Sequence, residues 1–253
     1  MISYIINHRG REGYRLENLL FLINYIKDIT DIEIIIVEQD NISGLSTFKF
    51  PENCKYIFVK NDGLFNRSWG FNVGYKKSMG KYLIFGDNDV IINKTDLNNI
   101  INDIKNYKIL NPYSEIIDTT NNEATEIKNS GKLPSIKRKG RSGINFSGGM
   151  VIFEREIFEI IGGWDEDFRG WGGEDDALSF HRIPKIVGGD KMKTLNNVAY
   201  HLWHERGVND TKKQEHYKKN IEKLKWYKKS NKEDIIKNIN LNDIGLVNKY
   251  ENE

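Results

Sequence analysis

Four short apolar runs, separated by stretches of helical periodicity, constrain the fold of this chain more than any other feature. The runs are 3–7, 33–37, 56–59 and 82–85. Apolar residues occupy consecutive positions in them, so both faces of each run are expected to be buried, as in parallel sheets covered by helices. The sequence therefore predicts an α/β fold with a mostly parallel, Rossmann-like sheet flanked by helices. Ligands of such sheets bind beyond the carboxyl ends of the strands.

The charge balance and the lengths of the apolar runs narrow the class of protein. The 38 basic and 36 acidic residues leave a net charge of +2, so nucleic acid is not an expected partner. No apolar run approaches the roughly 18 residues that span a bilayer. Met1 leads into the first strand without the basic region of a signal peptide, and the single cysteine, Cys54, suits a reducing compartment. We therefore expect a cytoplasmic protein.

Two stretches are dominated by polar or basic residues. The segment 116–143 is poorly patterned and is predicted to be a loop, and ordered structure is expected to resume at 148–153. The end of that loop, 132–141, holds five basic residues and no acidic one, which favours either a solvated loop or a contact with an anionic acceptor. The helical stretch 211–232 carries nine lysines against two glutamates. It is either a solvated helix face or a contact with an anionic membrane surface.

An acidic triplet, Asp87-Asn88-Asp89, directly follows the fourth apolar run. Two carboxylates one residue apart at the carboxyl end of a strand can hold a hard divalent cation, which typically bridges them to substrate phosphates. The alternative is an ordinary turn, where Asp and Asn are common because they hydrogen-bond to nearby backbone.

The segment 162–176 concentrates five glycines, two tryptophans and six acidic residues in fifteen positions. Glycines raise the entropy cost of ordering a chain and massed carboxylates repel one another, so structure alone does not explain this composition. Such a loop can present a tryptophan face and a carboxylate to a polyhydroxylated ligand, with a helix beginning near Glu174. The alternative is an acidic loop whose last acids complement a helix N-terminus.

Three further groups of residues could bind ligands. His201 and His204 are three residues apart and can face one cation on a turn, although a histidine is more often an ordinary core or surface residue. The pair Arg9 and Arg11, and the Phe-Asn-Arg that ends at Arg67, suit phosphate oxygens or are simply surface arginines. The sequence lacks the motifs of dinucleotide redox enzymes, P-loop proteins and α/β-hydrolases.

In this order, the segments resemble inverting glycosyltransferases of the GT-A fold, specifically the β-1,4-galactosyltransferase family, and the related bacterial family 2 polysaccharide glycosyltransferases. The most specific motif is Gly-Trp-Gly-Gly-Glu-Asp-Asp, and the Arg-x-Arg, Phe-Asn-Arg, Asp-x-Asp and Phe-Ser-Gly-Gly motifs contribute through their order. The resemblance covers about 2–210. It implies a GT-A domain at 1–210, with a nucleotide-binding half at about 1–110 and an acceptor-binding half at about 111–210, followed by a basic helical extension at 211–253.

The resemblance also implies roles for individual residues. Asp175 is the implied general base, and Glu174 helps to hold the acceptor. Asp89 and His204 are the implied ligands of Mn²⁺ or Mg²⁺, with His201 as a third candidate because it stands where the animal enzymes have a methionine. The bulky ring of Phe146 favours an unacetylated donor sugar. The implied UDP-sugar-binding residues are Arg9, Arg11, Phe65, Arg67, Asp87, Asn88, Gly149 and Trp171.

Several features of the family are missing from this chain. The proline that usually precedes the Arg-x-Arg is absent, and so are the secretory anchor and the disulfides of the animal enzymes. These absences favour a cytoplasmic enzyme, with peripheral contact between the basic C-terminal helix and the inner face of a membrane. The loop around Trp171 and the segment 207–210 are expected to order over the bound donor and exclude water.

The sequence thus predicts a metal-dependent inverting glycosyltransferase that moves a hexose, galactose or glucose, from a UDP-sugar to a hydroxyl of a glycan acceptor. Three alternatives remain open. The first is a polysaccharide-synthesising transferase that uses UDP-N-acetylhexosamine or UDP-glucuronate. The others are a nucleotidyltransferase, which also uses paired carboxylates and a cation, and a non-catalytic module that binds carbohydrate or nucleotide.

Overall fold

The computed structural model describes residues 1–134, 138–143, 146–205 and 215–250. Its strands are β1 Ile2–His8, β2 Ile32–Asp40, β3 Cys54–Lys60, β4 Tyr82–Gly86, β5 Val90–Ile92, β6 Ile109–Asn111, β7 Glu115–Asp118, β8 Arg141–Ser142, β9 Met150–Glu154, β10 Met192–Thr194 and β11 Val198–His201. Its helices are α1 Gly13–Ile26, α2 Arg67–Lys77, α3 Lys94–Asp103, α4 Asn121–Ser130, α5 Arg155–Ile160, α6 Glu174–Asp176, α7 Ile183–Ile186, α8 Glu215–Lys229 and α9 Lys232–Lys237. A π-helical segment, Ala177–Arg182, joins α6 to α7.

A seven-stranded sheet in the order β10-β6-β9-β4-β1-β2-β3 forms the centre of the molecule. The four predicted apolar runs are β1 to β4, and these strands pair in parallel. Only β9 runs antiparallel to its neighbours β4 and β6. The mostly parallel α/β sheet expected from the sequence is therefore confirmed.

Helices cover both faces of this sheet. Neighbouring residues of β1 point to opposite faces, since Ile5 packs in one apolar cluster and Ile6 in the other. Leu19 and Leu22 of α1 bury the Ile6 face, whereas α2 places Phe71 against the Ile5 face. Because both faces are covered, the open positions for ligands are the loops beyond the strand ends.

The stretch 116–143, predicted to be a loop, contains regular structure, so that prediction was wrong. It includes most of β7, the helix α4, and β8. The strands β7 and β8 belong to a second, four-stranded sheet in the order β5-β11-β7-β8, and α4 lies between these two strands in the sequence. The helix α4 buries only Ala124 and Ile127, too few apolar positions to show a helical period. Its start is nevertheless marked by a capping box between Thr120 and Glu123.

The basic end of that stretch is partly neutralised within the molecule. The Arg138 guanidinium pairs with Glu123 (2.6 Å), and that of Arg141 pairs with Asp118 (2.6 Å). Two of its five basic residues therefore have carboxylate partners. This favours a solvated segment over a contact with an anionic acceptor.

The C-terminal helices pack on the central sheet. Tyr227 of α8, Ile235 of α9 and Tyr250 belong to the apolar cluster that contains Ile5. Among the described helices, none is both long enough and apolar enough to cross a bilayer. The segment 207–210, expected to order over the donor, lies outside the described residues, as does the predicted domain boundary after 210.

Candidate active site

The acidic triplet lies in a tight turn between β4 and β5. The Asp87 N–H donates to the carbonyl of Gly149 (2.8 Å), and the carbonyl of Asp89 accepts from the Leu202 N–H (2.7 Å). The turn is therefore held from the loop that precedes β9 and from the segment that follows β11. It lies at the carboxyl end of a central parallel strand, where α/β sheets place their ligands.

Asp89, His201 and His204 come together beside this turn, with ligand atoms within 4.8 Å of one another. Nε2 of His204 is 3.2 Å, and Nε2 of His201 3.7 Å, from the Asp89 carboxylate. Each ring uses its other nitrogen elsewhere, because Nδ1–H of His201 donates to Asp118 (3.0 Å) and Nδ1–H of His204 donates to the Glu205 carbonyl (2.9 Å).

These hydrogen bonds place a proton on Nδ1 of each ring, so each Nε2, which faces Asp89, is the nitrogen available to a metal ion. A histidine that binds a metal has this tautomer, with its other nitrogen held by a carboxylate or a carbonyl. Burial raises the pKa of Asp89, while the nearby His201 opposes that rise. One carboxylate and two imidazoles facing one another fit a divalent cation better than they fit an empty polar contact.

Asp118 supports this cluster although no sequence motif marks it. The strand pairing β11–β7 places His201 directly beside Asp118 in register. Thr119, the next residue, accepts the Trp203 N–H on its hydroxyl (2.9 Å), which fixes the turn between the two histidines. Only the pairing of two strands distant in sequence reveals this contribution.

Arg67 connects the acidic triplet to the predicted base. Its Nε donates to Asp87 (2.8 Å) and its Nη1 donates to Asp175 (2.8 Å). The guanidinium packs on the rings of Phe71 (4.7 Å) and Trp164 (5.2 Å). Burial opposes its charge, but the surrounding carboxylates, Asp175 first, outweigh that effect and raise the pKa of Arg67. Its buried Nη2 has no partner among the described residues.

The two oxygens of Asp175 are in different surroundings. Oδ1 accepts from Arg67 (2.8 Å) and from the Ser147 hydroxyl (3.2 Å), whereas no described residue donates to Oδ2. Burial raises the pKa of Asp175, and Arg67 counteracts the rise. Next to it, burial and the charge of Asp175 raise the pKa of Glu174 to about 7. One oxygen of Asp175 is thus fixed and the other is open to accept a proton.

The glycine-rich loop delivers these acids through three residues with left-handed backbone. Gly170, Gly172 and Gly173 have φ of 70°, 102° and 99°. The conformation is strained for a residue with a side chain, which explains the glycines. At the tip of the loop the Trp171 side chain is 57% exposed and stacks on Tyr217 of α8, with ring centroids 5.8 Å apart.

The predicted nucleotide-binding arginines differ in their surroundings. Arg9 donates to the carbonyls of Gln39 (2.6 Å), Gly63 (2.7 Å) and Asn61 (3.0 Å) and lies over the Phe65 ring. It therefore ties the segment after β1 to the end of β2 and to the loop that follows β3. Arg11 is exposed and contacts Asp40 and Asn41.

The side chain of Asn88 turns into the protein. Its amide donates to Nδ1 of His8 (2.9 Å), and Nε2–H of the same ring donates to the Gly10 carbonyl (2.6 Å). Burial lowers the pKa of His8, so the ring is neutral. This buried chain links the turn 87–89 to the Arg-x-Arg segment and was not foreseen from the sequence.

Gly149 and Phe146 flank the site. A Cβ at Gly149, whose φ is 83°, would come within 2.5 Å of the Tyr113 hydroxyl, so only glycine fits there. Phe146 is half-buried against the apolar cluster beneath the site.

The predicted site residues form two groups in direct contact. The first contains Asp87, Arg67 and Asp175. The second contains Asp89, His201 and His204. The two groups meet at the turn 87–89. Arg9 and Phe65 contact each other in the neighbouring loops, while Arg11 has no contact with either group.

Comparison with known proteins shows which proteins this chain resembles in sequence and in fold. Residues 134–189 match a family model described as the N-terminal domain of galactosyltransferase. Mouse chondroitin sulfate N-acetylgalactosaminyltransferase 1 is 28% identical over 193 residues, which are 72% of this chain and 35% of that protein. The human chondroitin sulfate N-acetylgalactosaminyltransferase 2 is 31% identical over 174 residues, 64% of this chain and 31% of that protein. The chain thus spans about a third of the length of these relatives.

Two solved structures share the fold. The catalytic domain of Drosophila β1,4-galactosyltransferase 7, solved with xylobiose, has a TM-score of 0.52 at 18% identity and covers 87% of this chain and 79% of its own. Residues 1–349 of TarS from S. aureus give a TM-score of 0.57 at 15% identity, over 92% of this chain and 68% of that one. The fold is that of the GT-A glycosyltransferases, and the resemblance of this chain to the galactosyltransferase family is confirmed.

Proposed function

We propose that this chain is a metal-dependent inverting glycosyltransferase that moves a hexose from a UDP-sugar to a hydroxyl of a glycan acceptor. The observation that carries the proposal is the convergence at one turn of two groups. The cluster of Asp89, His201 and His204 suits a cation, and the neighbouring pair of Arg67 and Asp175 offers an open carboxylate oxygen. The family match and the relatives' names support glycosyl transfer in general.

Asp175 would act as the general base. Its Oδ2 takes the proton of the acceptor hydroxyl while that oxygen attacks the anomeric carbon from the face opposite to UDP, and the configuration inverts. A positioned base typically contributes about 10²–10⁴-fold to the rate. Glu174, with a pKa of about 7, is partly protonated near neutral pH and can donate a hydrogen bond to the acceptor as well as accept one.

The leaving diphosphate gains negative charge as the bond to the sugar breaks. Asp89, His201 and His204 would hold Mn²⁺ or Mg²⁺, which supplies Lewis-acid stabilisation of that charge when bound. Arg9, Arg11, Phe65 and Gly149 would line the uridine and diphosphate, and Trp171 would close over donor and acceptor. The side chain of Asn88 would act indirectly, through His8, because its amide is already engaged.

The donor sugar has two candidates. The half-buried ring of Phe146 favours galactose or glucose, in line with the family name of the matched segment. A UDP-N-acetylhexosamine is favoured instead by the names of the curated relatives, which are N-acetylgalactosaminyltransferases. We also propose a cytoplasmic location and a contact of α8 with an anionic membrane surface through its exposed lysines, such as Lys218 and Lys219.

A UDP-release screen tests the proposed donor and the need for metal together. The protein is incubated with Mn²⁺ and, in turn, UDP-galactose, UDP-glucose, UDP-N-acetylgalactosamine, UDP-N-acetylglucosamine and UDP-glucuronate. We expect release from one hexose donor, loss of release after chelation with EDTA, and recovery when Mn²⁺ is added. Full activity after exhaustive chelation would contradict the metal role. If no donor releases UDP even when a panel of glycan acceptors is added, the proposed UDP-sugar transfer is contradicted.

The variant Asp175→Asn tests the assignment of the base. Asparagine keeps the size of the side chain but cannot take a proton, so we expect transfer to fall at least 100-fold while UDP binding, measured by calorimetry, is retained. Asp167→Asn is the matched control, because Asp167 is an exposed acid of the same glycine-rich segment. Near-normal turnover of Asp175→Asn would refute the assignment.

A further inference from the structure

Two buried serines lie behind Asp175, and neither has a role so far. Ser147, which precedes β9, is fully buried, and Ser179 of the π-helical segment is 2% exposed. Their hydroxyls are 2.8 Å apart, and the N–H of Ser147 donates to Oγ of Ser179 (3.2 Å). Asp175 and Ser179 are four residues apart along the helical segment, so both face Ser147.

The serine pair contacts the proposed base directly. Oγ of Ser147 lies 3.2 Å from both the carbonyl and Oδ1 of Asp175. Since Oγ of Ser179 accepts the backbone N–H of Ser147, its own hydroxyl is free to donate to Oγ of Ser147. The hydroxyl of Ser147 then donates to Asp175, whose carbonyl and Oδ1 are equally near, and the two serines form a chain that ends on this residue.

This arrangement fixes the rotation of the carboxylate. Oδ1 is held by Arg67 from α2 and by Ser147 from the loop before β9, two donors that belong to different elements. A carboxylate with one donor could turn about that contact and exchange its two oxygens. With two donors on the same oxygen, Oδ2 is kept as the one that faces the acceptor.

A purely structural interpretation of the serines is that buried hydroxyls need partners, as almost all of them find one. That explanation accounts for the bond between the two serines. It leaves unexplained why the Ser147 hydroxyl also reaches the carboxylate oxygen that Arg67 holds, and why the opposite oxygen has no donor among the described residues.

We propose that Ser147 and Ser179 are positioning residues for the base: their hydroxyl chain holds Oδ1 of Asp175 inside the protein and turns Oδ2 towards the acceptor. The inference rests on the proposed function, in which Asp175 is the base. The charged groups that face Asp175 are Arg67 of α2, Asp87 after β4 and Glu174 of its own helix. The serine hydroxyl adds a neutral donor that favours the ionised carboxylate over the protonated one.

The test compares Ser147→Ala and Ser179→Ala with the unchanged protein. In Ser147→Ala we expect kcat to fall about 10-fold, with little change in KM for the UDP-sugar. The acidic limb of the kcat profile should move up by about one pH unit, because a hydrogen bond to a charged group corresponds to at least a tenfold change in an equilibrium constant. Ser179→Ala acts one step further away, so its shift should be smaller and in the same direction. Ser147→Thr keeps a hydroxyl, so the acidic limb of its kcat profile should lie at the same pH as in the unchanged protein.

Ser3→Ala is the matched control. Ser3 is equally buried and also donates to a carboxylate, Glu33 (2.6 Å), but it lies at the start of β1, at the opposite end of the sheet. Its loss should lower the melting temperature and leave the pH profile unchanged. If Ser147→Ala does not fold, as judged by circular dichroism, Ser179→Ala decides the question.

The outcomes separate this inference from the proposed function. A folded Ser147→Ala or Ser179→Ala with unchanged kcat and an unchanged acidic limb overturns the positioning role. If Asp175→Asn is inactive at the same time, the base assignment survives that result. The Asp175 carboxyl can also be titrated by ¹³C NMR without any substrate. Its pKa should rise in Ser147→Ala, and an unchanged value would contradict the inference whether or not the protein is a transferase.

Discussion

At the scale of single residues, the site contains charged side chains that each interact with more than one other charged group. Arg67 is the clearest example, because the resemblance implied a contact with the nucleotide and the structure shows a buried bridge between Asp87 and Asp175. Nη2 of Arg67 is buried and has no partner among the described residues, so one donor of the guanidinium is unused in these contacts. The contact with the nucleotide stays a prediction, and the bridge between the two carboxylates does not contradict it.

Glu174 carries a prediction about stability and pH. Its pKa is about 7 in the folded protein against an ordinary value of 4.5, because of burial and the adjacent Asp175. Between those values the folded state holds a proton that the unfolded state has released, so the stability contribution of Glu174 falls as the pH rises from about 4.5 to about 7. Glu174→Gln should remove this dependence.

We therefore expect Glu174→Gln to be more stable than the unchanged protein at pH 8, by about 1–3 kcal/mol, since one pKa unit corresponds to about 1.4 kcal/mol. At pH 4 the two should be alike. Urea unfolding at both pH values measures the difference, and Glu52→Gln, at an exposed position, is the control that should show none. Equal stabilities at pH 8 would show that the surroundings of Glu174 do not raise the pKa of its carboxyl.

At the scale of elements, the glycine-rich loop and the helix α8 act as one unit. Buried Asn220 of α8 accepts the N–H of Arg169 (3.3 Å) and donates to its carbonyl (3.0 Å), while the Tyr227 hydroxyl donates to Asp165 (2.6 Å). Lys223, between them on the helix, pairs with Asp167 (2.6 Å). One face of α8 thus holds the loop that leads to Glu174 and Asp175.

Gly173→Ala tests how strongly the loop conformation is required. Its φ of 99° is unfavourable for alanine, and the new Cβ would come within 2.8 Å of the Phe168 ring. We expect a loss of about 1–3 kcal/mol in stability and a larger proportional loss of transfer, because the next two residues are the proposed catalytic acids. Thermal unfolding and UDP release measure the two effects.

Gly189→Ala is the control for this variant, since a Cβ there meets nothing within 4 Å. It should leave both stability and transfer nearly unchanged. If Gly173→Ala behaved in the same way, the left-handed backbone of the loop would not be needed for the site.

At the scale of the whole molecule, the C-terminal segment is integrated with the sheet domain. Buried Glu166 accepts from the N–H of Gly245 and from Lys249 (both 2.6 Å), and the Tyr250 hydroxyl meets the amide of Asn66 (2.7 Å), the residue that caps α2. Trp69 of α2 donates its indole N–H to the Leu246 carbonyl (2.8 Å). These contacts connect the last described residues to the helix that carries Arg67.

We therefore expect the extension 211–253, which the sequence predicts to be a basic helical appendage, to unfold together with the rest. Urea unfolding followed by tryptophan fluorescence and by far-ultraviolet circular dichroism should give one coincident transition, because small units that share a core unfold cooperatively. An earlier loss of helical signal, with the fluorescence of the core unchanged, would show instead that the extension unfolds independently.

Local pattern was sufficient to predict the parallel strands and the motifs of the site. Consecutive apolar residues in the four runs require burial on both faces, and that requirement is met only by a covered sheet, whatever the rest of the chain does. The pattern failed in 116–143, where α4 buries only Ala124 and Ile127, and where a capping box and an ion pair of Glu123 mark the start of the helix. The grouping of Asp89 with the two histidines came from the family resemblance, and their roles stay predictions.

The sequence alone therefore determined the class of fold and the residue types available for chemistry, because hydrophobic periodicity and motif order are properties of neighbouring residues. Only the tertiary structure decided which atoms meet. The contact of Asp118 with His201 depends on the pairing of β7 with β11, and the hydroxyl chain from Ser179 through Ser147 to Asp175 depends on a helix packing against a loop. Hydrogen bonds act over about 3 Å, and no local pattern encodes such distances between segments that are far apart along the chain.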